Sequence, residues 1–174
     1  MKRLILVAAL VLVASLGYRG FLSSETGTGD LTLPQPFPNQ GQMAPDFASE
    51  DIDGSSFDLP QEGVQVITFW STLNRGTNLS HQAFGELADE YEDDEVSFAA
   101  IYVSSVPQQD QEEAPYAVLR DHSGELTSMY NVKRVPRIFL IEDGEIRLVQ
   151  NGYNREHERE LKEALEELTE AREA

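Results

Sequence analysis

Apolar residues follow two different periods along this chain, and the switches between them mark its elements. Val64 to Trp70 is an unbroken β-branched and aromatic run, the pattern of a strand buried on both faces. After it, Ala83, Leu87 and Tyr91 recur every four residues with Phe84 and Ala88 beside them. Glu86, Asp89, Glu90 and Glu92 take the opposite side. This spacing predicts an amphipathic helix over about 77–93. A second buried strand is expected over 96–103, and strand, helix, strand of this length predicts a right-handed parallel crossover. Residues 104–115 are polar and contain Pro107 and Pro115, so they are read as a loop with at most one helical turn. A short helix is expected over 124–131. Arg137–Ile141 and Glu145–Val149 are read as strands joined through Asp143-Gly144, a strong hairpin signal. Upstream, Ala44–Phe47 and Ser56–Leu59 flank Asp53-Gly54 and predict a smaller hairpin. Leu161, Ala164, Leu165 and Leu168 put one apolar stripe on a charged helix over 155–172. The predicted order is hairpin, β, α, β, loop, short α, β, β, α. Two parallel strands, an antiparallel hairpin and a closing helix make an α/β sandwich.

The same pattern divides the chain into three parts. Lys2 and Arg3 precede an uncharged, strongly apolar run from Leu4 to Leu16, which Arg19 closes. The run is shorter than the about 20 residues that cross a bilayer and resembles the core of a signal peptide. Val13-Ala14-Ser15 and Ser15-Leu16-Gly17 offer small residues at a cut site. Phe21 and Leu22 extend the apolar character past Arg19, which fits an uncleaved signal anchor. Residues 1–22 are therefore read as signal peptide or signal anchor, and the domain as extracytoplasmic: periplasmic or at the cell surface, secreted or tethered. The membrane is involved only through this segment. Residues 23–42 are rich in Gly, Ser, Thr and Pro, with Pro34, Pro36 and Pro38 at alternate positions, and are read as a polar linker. Residues 43–174 form the predicted domain.

Composition changes this picture in two ways. The 174 residues include 31 Asp and Glu against 13 Lys and Arg, a formal charge of -18. Such a surface does not bind nucleic acid, because neutralising phosphates requires clustered basic groups. An acidic excess with few lysines fits a strong-salt habitat, where screening removes the self-repulsion. No stretch has the alternating Asp and Asn ligands with a central Gly of a calcium loop. Second, there is no cysteine. A disulfide framework, a thiol nucleophile and a lipidated N-terminal cysteine are all excluded.

Four pieces of sequence, in order, carry a resemblance. They are Ala44-Pro45-Asp46-Phe47 with the Asp53-Gly54 turn; Phe69-Trp70-Ser71-Thr72; Val135-Pro136 followed by Phe139-Leu140-Ile141 and Asp143-Gly144; and the leader with its polar spacer. Together they resemble the thioredoxin superfamily from Met43 to about Glu170, most closely its extracytoplasmic TlpA/ResA-type branch near the AhpC/TSA peroxiredoxin-like proteins. The resemblance implies a thioredoxin fold, a central mixed sheet flanked by helices with an added N-terminal β-hairpin. It also implies a cis peptide before Pro136. The chain departs from the family where Cys-x-x-Cys follows the Phe-Trp strand: here the residues are Asn74-Arg75-Gly76-Thr77. Thiol–disulfide oxidoreductase and thiol peroxidase activities therefore have no nucleophile. The crossover from Ser104 to Tyr116 is also too short for the helix usual in relatives.

In the family the first cysteine sits at a helix N-terminus, where backbone N–H groups and the helix dipole favour an anion. Asn74 in that place is a good N-cap and not a nucleophile, so the substitution keeps the helix start and deletes the chemistry. One reading of 74–77 is a capped helix start and no more. The other is that Asn74, Arg75 and Thr77 present donors to a partner, Arg75 pairing with a carboxylate. The resemblance implies that Val135, preceding the cis Pro136, offers main-chain groups to an extended peptide. Trp70 and Thr72 are expected in the core, with a lesser role as groove edge. The candidate groove is then Trp70, Thr72, Asn74, Arg75, Gly76, Thr77, Val135 and Pro136. His81, His122 and His157 lie on separate elements with no shared metal spacing and are expected at the surface or in caps. Asn78-Leu79-Ser80 matches a glycosylation sequon inside a predicted helix.

These readings lead to a redox-inactive thioredoxin-like domain that binds an extended peptide or protein in the former active-site groove, without cofactor or metal. The alternative is a structural or assembly domain of a membrane complex, with no ligand at that site. An enzyme of other chemistry ranks below both, because only Thr72, Thr77 and Arg75 stand near the groove, with no base to activate them.

Overall fold

A computed structural model describes residues 37–73, 77–91, 96–106 and 114–173, within a compact unit spanning Gln35–Ala174. Asn74, Arg75 and Gly76, the leader and most of the linker lie outside the described residues. A short antiparallel pair, β1 (Ala48–Glu50) and β2 (Ser56–Asp58), precedes the main elements. Then come β3 (Val64–Trp70), α1 (Thr77–Glu90), β4 (Val96–Tyr102), β5 (Ala117–Arg120), α2 (Glu125–Met129), β6 (Arg137–Glu142), β7 (Glu145–Asn151) and α3 (Arg155–Glu173). The main sheet has the order β5-β4-β3-β6-β7, with β3, β4 and β5 parallel and β6 and β7 antiparallel to their neighbours.

This is the mixed sheet with an added N-terminal hairpin that the sequence predicts, with two differences. First, the opening hairpin pairs at Ala48–Glu50 rather than at 44–47. Residues 41–44 are used elsewhere: Gly41 N donates to Ile146 O at 2.8 Å and Ala44 N to Gly144 O at 2.8 Å, against the outer edge of β7. Second, the sheet has a fifth strand, β5, inside what the pattern leaves unassigned after the 104–115 loop. Ala117–Arg120 is four residues long, too short for its alternation to show, and it becomes a strand by pairing with β4. Its outer edge is occupied: Ile52 N donates to Val118 O at 3.0 Å, and Val118 N donates to Asp51 Oδ2 at 3.0 Å. Both margins of the sheet are thus partly covered by the segment preceding β3, which limits edge-to-edge pairing. Within the 104–115 loop, residues 107–113 lie outside the described residues.

Alternation along β3 and β6 sends side chains to two apolar layers. Val64, Val66, Trp70, Ile138 and Leu140 meet Phe84, Leu87, Leu161 and Leu165 of α1 and α3. Ile67, Phe69, Phe139 and Ile141 meet Phe47, Leu126 and Tyr130 on the side of α2 and the hairpin. Two local signals behave as their chemistry dictates. Asp143 and Gly144 take φ of 48° and 79°, the positive pair a two-residue hairpin turn needs. Asn154 Oδ1 accepts the Glu156 and His157 N–H groups at 2.8 and 3.0 Å, capping α3.

Candidate binding groove

The register fixes the groove. Phe69 of β3 pairs with Arg137 of β6. Continuing that antiparallel register sets Trp70 against Pro136 and Ser71 against Val135, so the loop leaving β3 and the loop entering β6 lie at one end of the sheet. The Val135–Pro136 peptide is cis, as the resemblance implies. Pro136 is buried, and its carbonyl accepts the Gly152 N–H at 2.7 Å. Val135 is half-buried and already holds an interaction within the chain.

On the facing side, Thr72 is exposed, contrary to the expectation that it is core. The chain turns out of the sheet immediately after Ser71, and Thr72 joins a hydroxyl cluster instead. Ser104 Oγ accepts the Thr72 N–H at 3.0 Å and lies 3.1 Å from Thr72 Oγ1, while Ser105 Oγ lies 3.3 Å from the same atom. Leu73 follows at 87% exposure, an apolar side chain in solvent beside the groove. Trp70 is core: it is fully buried, with its ring 5.3 Å from that of His81, 6.0 Å from Phe84 and 6.3 Å from Tyr153. Thr77 begins α1.

His81 departs from the surface or capping role. It faces inward from α1, bonded to the Tyr102 hydroxyl through Nε2, with Nδ1 3.2 Å from the Tyr116 hydroxyl. The signal was available: His81, Phe84, Ala88 and Tyr91 share the inner helical stripe. His157 does sit at a helix end, its Nδ1 3.1 Å from Gly152 O, and His122 is exposed in the loop after β5. Among the described residues no group of three or more His, Asp and Glu is placed to hold a metal, and no helix is long and apolar enough to cross a membrane.

Arg137 belongs beside the groove and was missing from the predicted set. It is 9% exposed, on the same sheet face as Phe69 and Phe139. Its Nη1 donates to Asn151 Oδ1 at 3.2 Å and its Cζ lies 5.1 Å from the Phe139 ring centroid. Burial pushes its pKa below the ordinary guanidinium value. Alternation with Phe139 and Ile141 after Pro136 was the sequence signal that this arginine points into a packed layer.

The Redoxin family profile matches residues 39–166. The chain belongs to the Redoxin family. No curated protein matches the sequence. This redoxin is similar in fold to a protein assigned as thiol:disulfide interchange protein DsbE from Chlorobium tepidum, at 22% identity and TM-score 0.66, over 75% of this chain and 98% of that one. It is similar to the pneumococcal exposed lipoprotein thioredoxin Etrx1 from Streptococcus pneumoniae, at 21% identity and TM-score 0.60, over 71% and 100%. StoA from Bacillus subtilis matches at 22% identity and TM-score 0.57, over 68% and 95%. At these identities the likeness is one of fold. This redoxin keeps the thioredoxin-like frame and has no cysteine with which to perform thiol exchange.

Proposed function

We propose that this redoxin is a redox-inactive binding module, held outside the cytoplasm by its N-terminal segment, which receives an extended peptide or protein segment in the former active-site groove. The observation that supports this most is the contrast at the end of β3. The strand, the cis Pro136 and the β6 entry are kept, while the side chain at the mouth, Leu73, is apolar and left in solvent. A peptide laid across that mouth would cover Leu73 and meet the hydroxyls of Thr72, Ser104 and Ser105, and an exposed apolar side chain with polar neighbours suits such a contact. The extracytoplasmic reading draws on the leader and on the naming of Etrx1 as an exposed lipoprotein.

A second reading, a structural or assembly domain with an idle groove, is favoured by one observation: Val135 is already engaged within the chain. Catalysis of another kind ranks last. Among the described residues the Thr72 hydroxyl lies against two serine hydroxyls, and neither is a base that would activate it.

The test is selection of a displayed peptide library on the full chain at high salt, in parallel with Leu73→Asp and Val135→Asp. Enrichment of a shared sequence by the native chain, lost in Leu73→Asp, supports the binding module. Absence of enrichment, or the same peptides from all three proteins, favours the structural domain.

A further inference from the structure

Arg147, Arg159, Lys162 and Arg172 each have a carboxylate within 3.5 Å. Arg137 has none among the described residues, in a chain with 31 acidic residues. Arg120, Lys133, Arg134 and Arg155, which also have none there, are exposed and solvated by water, whereas Arg137 is 9% exposed, and a buried charge ordinarily requires a counter-charge. Its neighbours are neutral: an amide oxygen on Asn151 and the face of Phe139. Nε is enclosed with no partner among the described residues. A guanidinium fixed by an amide and a ring, with donors left over, is a fork already ordered for a planar anion.

The approach to that fork borders the groove. Asn151 is exposed at the end of β7. Gly152 beside it has open space where a side chain would stand, and its N–H is the one bonded to Pro136 O. We propose that Arg137 is a carboxylate-binding site, reached past Asn151 and Gly152, which anchors an acidic group of the polypeptide occupying the groove. This rests on the groove reading above. The anion is recognised at short range: a net charge of -18 repels a carboxylate at a distance, and strong salt screens that repulsion while leaving desolvated hydrogen bonds largely intact. A carboxylate matches the planar fork with two oxygens, which a spherical halide does not.

The test follows the Arg137 Nε–H resonance of the 15N-labelled full chain at constant high salt. Three N-acetylated alanine–serine peptides are titrated: one with a free C-terminus, one amidated, and one amidated with a single glutamate. The expected result is a saturable shift with one or both carboxylate peptides and none with the neutral amide. A response to the free acid alone identifies a chain terminus as the ligand, and a response to the glutamate peptide alone identifies a side chain. Arg137→Gln should weaken binding roughly 10- to 100-fold, as loss of charge-assisted hydrogen bonds implies. Arg137→Lys, which keeps the charge and loses the fork, should fall between. No saturable shift, an equal shift from the amide, or full reproduction of the shift by chloride overturns the proposal. The native-chain titrations decide the matter even where a variant folds poorly. Groove-selected peptides that bind equally well amidated, with Nε–H unmoved, would reject the anion site and leave the groove reading standing. A carboxylate-driven shift in a chain that enriches no peptide would do the opposite.

Discussion

The two ends of the central sheet are built differently. At the end where β3 begins and β6 finishes, polar groups are satisfied locally. Gly63 N donates to Asp143 Oδ1 at 2.9 Å, Asp143 N donates to Gly63 O at 2.9 Å, and Arg172 reaches the same carboxylate at 3.1 Å. The 41–44 segment adds its own ladder there. At the opposite end, Thr68 Oγ1, Trp70 Nε1, Arg137 Nε, Gln150 Oε1 and Tyr153 Oη are enclosed without partners among the described residues; only Gln65 Oε1 shares that condition near the first end. Buried polar atoms are ordinarily paired, so a cluster of exceptions needs a reason. The satisfied end is the one that holds the fold, and the unsatisfied end is where the chain has kept groups that a stability argument alone would remove.

The comparison breaks most visibly in the core near the satisfied end. Ile141, fully buried opposite Gln65, should cost about 2–5 kcal/mol when changed to Ala, read from the urea midpoint at constant slope. A loss below about 1 kcal/mol would mean that this end does not carry the fold. Next comes Tyr130, whose hydroxyl donates to Pro45 O at 2.6 Å. Tyr130→Phe should cost roughly 1 kcal/mol. Burial, then the Asp46 charge, holds the Tyr130 pKa above the ordinary phenol value. The unfolded chain ionises near pH ~10 while the folded chain stays neutral, so this contribution is complete below pH ~10 and is lost as pH rises beyond it. Tyr130→Phe should therefore flatten the alkaline fall in stability, leaving the part due to Tyr153, also raised chiefly by burial. An unchanged alkaline limb would remove Tyr130 from the account.

At the unsatisfied end the sign reverses. Arg137→Met exchanges a buried, unpaired guanidinium for an apolar chain of similar reach, so stability should hold or rise by up to about 1 kcal/mol. A loss above about 2 kcal/mol in the same urea titration would make Arg137 a structural residue and erase the distinction between the two ends.

How far the sequence foretold this follows from the physics of each signal. Val64–Trp70, the α1 stripe and the Asp143-Gly144 turn each state their structure locally, through a run, a period or a special φ, and all were legible. β5 was not, because four residues become a strand only through β4. The opening hairpin was found at its turn but placed too early, since 41–44 answers to β7 across the whole chain. At the groove, the loss of the nucleophile was plain from composition. Thr72 as an exposed hydroxyl was not, because it depends on where the chain leaves the sheet. His81 was readable by period, but its residue type pointed to the surface where the helical stripe puts it inside. Arg137 was read as part of a strand, and the alternation that turns its side chain inward carried no further reading.

The smallest effect is the sharpest check on the satisfied end. Asp143 is exposed, yet its carboxylate accepts the Gly63 N–H and then the Arg172 guanidinium, which together hold its pKa below the usual carboxylate value. The unfolded chain takes up a proton near pH ~3.9 while the folded chain resists it, so the stabilisation is present above that pH and is lost as pH falls below it. Asp143→Asn keeps an acceptor for Gly63 and removes the titrating charge. Its unfolding curve should lie close to the native one near neutrality, as exposed pairs contribute little, and should fall less steeply below pH ~4. Parallel acid limbs for the two proteins would show that the Gly63–Asp143–Arg172 contact does not hold this end closed, and that its order comes from the apolar layer alone.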